Sequence, residues 1–178
     1  MSEMPKDFTA LLQVEAQRIA QQCLLAAERH YAAETPWYHM NYWIGIPSAL
    51  LAAVAGTSAV PKLGMPEWLP VAAGLLAASL TSLLTFLDPH KRASVHHTTA
   101  RNYEALYHAA SFFARFELVE EAADTGALRT KLLKLNADFN ELLKSSPAIP
   151  GHAYTAATKN LIDRDGEVLQ FNEETATK

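Results

Sequence analysis

The chain has 178 residues, a formal net charge of −4, 49% apolar side chains and 19% charged side chains. Because this charge balance is mildly negative, a general nucleic-acid-binding surface is not expected. The length suggests one domain, and the single cysteine, Cys23, excludes an intramolecular disulfide framework. The beginning of the chain has no basic region followed by an apolar run, so no cleavable signal peptide is expected.

The first predicted element is an amphipathic helix over about residues 7–31. Its apolar positions recur at spacings of three and four and form one stripe: Leu12, Ala16, Ile19, Cys23 and Ala26. Cys23 is therefore expected to be a buried structural thiol. Thr35-Pro36 is expected to end or interrupt the helix, because the residue before a proline avoids the α region.

Two segments without ionisable side chains follow, at residues 43–60 and 68–87. As helices they are each roughly 27–30 Å long, about one hydrocarbon thickness of a bilayer. Four of the seven residues 37–43 are Trp or Tyr, which is typical of a membrane interface. The joining residues 61–67 have the proline, glycine and charge of a turn. The pattern predicts a transmembrane hairpin; a buried hairpin of a soluble helical protein is the alternative.

Basic residues near the segment ends predict the orientation. The joining turn has Lys62, whereas Arg29 precedes the first segment and Lys91, Arg92 and Arg101 follow the second. Since basic residues are enriched on the cytoplasmic side, both termini are expected in the cytoplasm and the turn on the outer side.

After the second span, a helix is predicted over about residues 92–121. One face is apolar: Ala100, Tyr103, Leu106, Tyr107, Ala110, Phe113 and Ala114. The other face is polar: Arg101, Glu104, His108 and Arg115. Residues 123–126 are expected to break it, and a further amphipathic helix is predicted from the near-heptad spacing of Leu128, Leu132, Leu135, Phe139 and Leu142. Residues 145–151 end that helix, and residues 154–162 are compatible with a short one.

The sequence DPHKR at residues 88–92 marks the end of the second span. The nearby histidines, His90, His96 and His97, lack the i, i+4 spacing of a zinc site on a helix, so no metal site is expected. A membrane boundary is favoured, with Lys91 and Arg92 reaching lipid phosphates. Asp88 and Pro89 are expected either to restart a helix as its N-cap and first residue or to kink a continuous one. His96 then joins the apolar face as a partnered core histidine, and His97 faces solvent or another subunit.

The two spans carry patterns of small and hydroxyl residues. Small residues suited to close helix packing in lipid are Gly45, Ala49, Gly56, Gly74 and Ala78. Ser79, Ser82 and Thr85 either hydrogen-bond within the membrane or line a wetted path in an oligomer. Leu83 and Phe86 are candidate residues of a hydrophobic gate for such a path. One hairpin cannot enclose a pore, so conduction requires several subunits.

An N-terminal helix, a short two-span hairpin and the sequence FLDPHKRASVHHTTARNYEALY at residues 86–107 resemble the SLATT family. The residues that carry the resemblance are Pro89, Lys91, Arg92, Ala93, His96 or His97, Ala100, Tyr103 and Leu106. SLATT proteins are two-transmembrane effector domains of bacterial nucleotide-signalling conflict systems. The resemblance covers about residues 8–162 and implies a membrane effector that forms pores in response to a sensor or a second-messenger synthase.

The sequence thus predicts an all-α membrane protein, with a two-helix transmembrane hairpin and a cytoplasmic helical bundle built from both flanks. Its expected parts are residues 1–42, an N-terminal helix and interfacial segment; 43–87, the hairpin; 88–162, a cytoplasmic module; and 163–178, a polar tail. The expected function is a self-assembling effector that permeabilises the bacterial inner membrane when triggered. A non-conducting membrane scaffold and a soluble helical interaction protein are the alternatives. No nucleotide-binding or hydrolase motif occurs, so neither an enzyme nor a cofactor is expected.

Overall fold

The computed structural model describes residues 6–57, 66, 68–119 and 124–164, and every regular element among them is helical. The helices are α1 (Lys6–Gly56), α2 (Trp68–Leu87), α3 (Pro89–Arg115), a short 3₁₀ helix (Glu117–Val119), α4 (Thr125–Ser145) and α5 (Gly151–Arg164). The all-α class is therefore confirmed. The predicted turn at residues 61–67 lies outside the described residues except for Pro66, and so does the predicted tail beyond Arg164.

The first helix is longer than its sequence predicts. Thr35-Pro36 was expected to end or interrupt it, but α1 runs from Lys6 to Gly56 with Pro36 and Pro47 inside it, so that prediction is wrong. The ring of Pro36 is exposed and takes up no space in a core, while Ala32 and Ala33 just before it are buried. Packing on the preceding turn therefore outweighs the local cost of the missing amide donor.

The chain forms two compact units. The first, here called the bundle, comprises Met1–Ala33 and Val95–Lys178; the second, called the helix pair, comprises Glu34–Ser94. The continuous helices α1 and α3 each contribute to both units, since α1 crosses residue 33 and α3 crosses residue 95.

The bundle core is built from the predicted stripes of α1 and α3. On α1, Leu12, Ala16, Ile19 and Cys23 are buried, as their spacing predicted. On α3, the predicted apolar face is buried apart from the partly buried Tyr107, and the predicted polar face is exposed. Leu128 and Leu135 of α4 complete this core, with Leu132, Phe139 and Leu142 partly buried against it.

The ends of α4 follow the sequence signals. The carboxylate of Asp124 accepts a hydrogen bond from Gly126 N at 3.1 Å, which satisfies an amide of the first turn. Ser146 is the C-cap, so the predicted end of this helix is confirmed. The short helix predicted at residues 154–162 is also present, as the longer α5, whose Ala153 and Ala157 pack with Ala32 and Ala33 in a second small cluster.

Candidate membrane-spanning surface

Helix α2 has no ionisable side chain. Among the described residues, the run Trp68–Arg115, which includes α2, is the one that contains a helical window long and apolar enough to cross a membrane. Leu75 is 68% exposed and Phe86 is 84% exposed, and Trp68, Val71, Leu76 and Leu83 are exposed as well. These six large apolar side chains of α2 therefore point away from the protein, whereas Leu80, Leu84 and Leu87 are partly buried.

The opposite face of α2 carries small residues over most of its length and Leu84 near its end. Pro70, Ala73 and Ala77 are its buried positions. A Cβ at Gly74 would lie 3.5 Å from Ala55 Cβ, and a Cβ at Gly45 would lie 3.7 Å from Leu84 Cδ1. Gly45 thus contacts the end of α2, and Ala55 contacts its first half. The C-terminal part of α1 and α2 are therefore antiparallel and closely packed.

A buried serine joins these two helices. Ser48 Oγ donates a hydrogen bond to the Ala77 carbonyl at 3.1 Å and lies 2.8 Å from Thr81 Oγ1. The sequence analysis missed Ser48, although it lies three residues after Gly45 and seven before Ala55 on the same face of α1. In an apolar surrounding, such hydrogen bonds between helices add to close packing.

The predicted packing residues divide into two groups. Gly45 and Gly74 contact the partner helix, as described. Ala49, Gly56 and Ala78 are exposed, and a Cβ at Gly56 would meet no atom within 4 Å. For Ala49, Gly56 and Ala78, a role in helix packing remains a prediction, and the contact would have to be with another chain.

The predicted pore-lining hydroxyls are exposed and bonded within their own helix. Ser79 Oγ donates to the Leu75 carbonyl at 2.8 Å, Ser82 Oγ to Ala78 at 2.8 Å and Thr85 Oγ1 to Thr81 at 2.9 Å. At 100° per residue, Ser79 and Ser82 share with Phe86 the side of α2 that faces away from α1. The hydroxyls are thus hydrogen-bonded within their own helix, and they lie on its exposed face.

The sequence DPHKR forms a break between α2 and α3. Asp88 has a positive φ of 43°, and Pro89 is the first residue of α3. Lys91 N donates to Asp88 Oδ1 at 3.3 Å, which confirms the helix restart with Asp88 as N-cap. Arg92 Nε donates to the Leu87 carbonyl at 2.9 Å, and its guanidinium lies 4.9 Å from the centre of the Trp37 ring. Arg92 therefore caps the end of α2 and stacks on an aromatic residue of α1.

Aromatic residues occupy both ends of the two packed helices. Tyr38, Tyr42 and Trp43 are exposed at the end where Phe86 lies, and Trp68 is exposed at the start of α2. From Trp68 to Phe86 the helix rises by about 27 Å, at 1.5 Å per residue. This spacing is close to the hydrocarbon thickness between the two interfaces where Trp and Tyr concentrate.

Two further motif residues, His96 and Tyr103, lie in the bundle core. His96 Nδ1 is 3.0 Å from Nδ1 of His30, so the prediction of a partnered core histidine is confirmed. His97 is exposed, and its ring meets that of Tyr31 edge-on at 5.9 Å between centres. His30 was missed by the sequence analysis, although it continues the α1 stripe seven residues after Cys23.

Burial shifts the titration of this core. It raises the pKa of the Cys23 thiol to about 12 and also raises the pKa of Tyr103. Burial, together with the neighbouring His96, lowers the pKa of His30 to about 4. Cys23 is thus a protonated core thiol, as its position predicted. In the part of the chain that the structure describes, no group of three or more His, Cys, Asp or Glu residues could hold a metal ion.

No protein-family model, curated protein or solved structure matches this chain.

Proposed function

We propose that the protein is a two-span membrane protein, in which α2 and the end of α1 form a transmembrane hairpin. The observation that carries this proposal is the inverted arrangement of α2, with alanines packed inward and Leu75, Leu76 and Phe86 outward. In water this surface would be an extended apolar patch, which soluble proteins avoid. In lipid it would be the solvated surface.

Extraction of membranes tests this point. The full chain should stay with the membrane after washing at high salt and alkaline pH, and it should need detergent to become soluble. A monodisperse protein in plain buffer would instead support the soluble interaction protein.

The orientation is inferred from the basic residues. Lys91 and Arg92 follow α2, and both termini are proposed to be in the cytoplasm of a bacterium. In a Cys23→Ser background, Lys62→Cys should react with an impermeant thiol reagent in intact cells. Lys131→Cys, at an exposed position of the bundle, should react after lysis only. The reverse pattern would invert the topology.

We further propose that the hairpins assemble into a homo-oligomer that permeabilises the inner membrane when triggered. The resemblance to SLATT effectors supports this function, and so does the position of Ser79 and Ser82 on the outward face of α2, where neighbouring subunits would meet. Thr85 would extend this lining, and Leu83 and Phe86 would supply a hydrophobic gate. A partner sensor or a nucleotide second-messenger synthase would provide the trigger.

Dye leakage from liposomes tests conduction, with triggered or overexpressed protein compared with resting protein. Ser82→Leu should reduce leakage and leave the particle mass unchanged, because an apolar lining disfavours water in a narrow path. Lys62→Ala, in the joining turn, is the control and should change leakage much less. Sealed liposomes in the presence of triggered, assembled protein would refute the pore.

A non-conducting scaffold is the second candidate, and one observation favours it. Ser79, Ser82 and Thr85 each donate to a carbonyl of their own helix, so they need no water-filled path. In that case the hairpin anchors the bundle, and the bundle binds the partner. Sealed liposomes combined with membrane-bound, oligomeric protein would identify this function.

A further inference from the structure

The bundle contains a buried pair of imidazoles that the proposed function does not use. His30 on α1 is 1% exposed and His96 on α3 is 7% exposed, and their Nδ1 atoms are 3.0 Å apart. At this distance one Nδ1 carries the hydrogen and donates, and the other lacks it and accepts. The ring of His30 also stacks on Tyr103, with 5.7 Å between ring centres and 14° between planes.

We propose that this imidazole pair is an acid-labile latch that joins α1 to α3 and opens when the accepting nitrogen takes up a proton. A proton on that nitrogen leaves two N–H groups facing each other at hydrogen-bond distance and places a positive charge in the core. The bond is lost and the buried charge is costly, so the two helices separate locally. The latch concerns how the bundle is held together, and it requires neither conduction nor a particular trigger.

The histidine pair lies where α1 and α3 leave the bundle, so its opening would affect both helices at that point. His30 lies three residues before Ala33, and His96 lies one residue after Val95, the residues at which α1 and α3 leave the bundle. Both helices continue from there into the helix pair. An open latch would therefore release the bundle at the end from which its helices continue toward the proposed spans.

Polar groups adjacent to the pair lie on both of its helices. Arg29 and Tyr31 flank His30 on α1, His97 follows His96 on α3, and Tyr103 of α3 stacks on His30. Tyr31 Oη donates to Glu104 Oε2 at 2.9 Å, and the guanidinium of Arg29 lies 4.7 Å from the centre of the Tyr154 ring. The hydroxyl of Tyr103 is hydrogen-bonded to Ser146 of the C-cap of α4, at 3.0 Å.

The latch assigns the accepting Nδ1 to His30, so the pH range follows from the titration of His30. Its pKa is lowered from 6.5 to about 4 by burial and by the neighbouring His96. Between pH 6.5 and pH 4, the closed state therefore binds fewer protons than the open state. The contribution of His30 to the stability of the closed state is complete above pH 6.5 and decreases as the pH falls toward 4. From pH 7 to pH 5, the equilibrium constant for opening should rise roughly 20-fold from this one group.

Thermal unfolding of the detergent-solubilised full chain, measured by circular dichroism from pH 7.5 to pH 5, tests the latch. The wild type should lose stability over this range. The double variant His30→Phe with His96→Phe, which fills the site with rings that do not titrate, should lose much less. His108→Phe, an exposed position on the opposite face of α3, is the matched control and should retain the wild-type dependence.

Equal pH dependence in the wild type and the double variant would overturn the latch. If the double variant does not fold, the imidazole signals of the wild type decide the question by nuclear magnetic resonance. A histidine of this pair that stays neutral at pH 5.5 supports the latch, and titration of all seven histidines near pH 6.5 refutes it. Neither measurement involves leakage, so failure of the latch is distinguishable from failure of the permeabilisation proposal.

Discussion

The bundle and the helix pair differ in the size of the side chains that they bury. In the bundle, Ile19, Tyr103 and Phe113 are fully enclosed, and the opposite face of α3 is polar. In the helix pair, Ala73 and Ala77 are enclosed, and leucine, tryptophan and phenylalanine side chains are outside. Removal of apolar surface from water explains the first arrangement. In the helix pair, the two helices meet through close approach of small residues and through the hydrogen bonds of Ser48.

The largest expected effect is in the bundle. Phe113→Ala should lower the free energy of unfolding by about 3 kcal/mol, because the ring is fully buried and its loss leaves a cavity. Arg101→Ala, on the exposed face of the same helix, should change it by less than about 0.5 kcal/mol. Chemical denaturation in detergent measures both, and equal losses would show that the burial of α3 is assigned to the wrong face.

A smaller effect is expected when a side chain is enlarged in the helix pair. Ala77→Leu should cost about 2 kcal/mol, because Ala77 is buried and the larger side chain has no space there. Ala78→Leu, the exposed neighbour, should leave the stability of the pair almost unchanged and reduce the mass of the detergent particle if Ala78 lies in a subunit contact. If the two variants behave alike, the inner and outer faces of α2 do not differ as described.

The smallest effect concerns the hydroxyls. Ser48→Ala should cost about 0.6 kcal/mol, a typical value for a hydrogen bond between helices in a membrane. Ser79→Ala should cost less, since its hydroxyl bonds only to its own helix at Leu75. Thermal unfolding in detergent compares the two variants. A greater loss at Ser79 would mean that its hydroxyl is used in the assembly rather than within one chain.

Local patterns predicted the parts of the fold that depend on one helix at a time. The buried face of α3 around Tyr103 followed from spacing alone, as did the burial of Cys23 on α1. The continuation of α1 through Pro36 did not follow, because the packing of Ala32 and Ala33 against α5 comes from residues about 120 positions later in the chain and outweighs a local preference. His30 and Ser48 were missed because a polar residue on an apolar stripe is recognised as a partner only once the opposite helix is placed.

The predicted roles of Ser82, Leu83 and Ala78 depend on contacts outside a single chain. Their side chains lie on the outside of one chain, so their role is decided by a second chain or by lipid. No periodicity within a single helix contains that information. Their roles therefore remain predictions, and the variants Ser82→Leu and Ala78→Leu test two of them.

The backbone at Asp88 restricts which residues the chain can carry there. Its φ of 43° lies in the left-handed region, where a Cβ is tolerated mainly in aspartate and asparagine and where glycine is unstrained. The same side chain also accepts the Lys91 amide, which glycine cannot do. A saturation library at this codon should thus retain asparagine best and glycine next, and it should lose the β-branched residues. This position between two long helices would then accept as few residue types as a tight turn does.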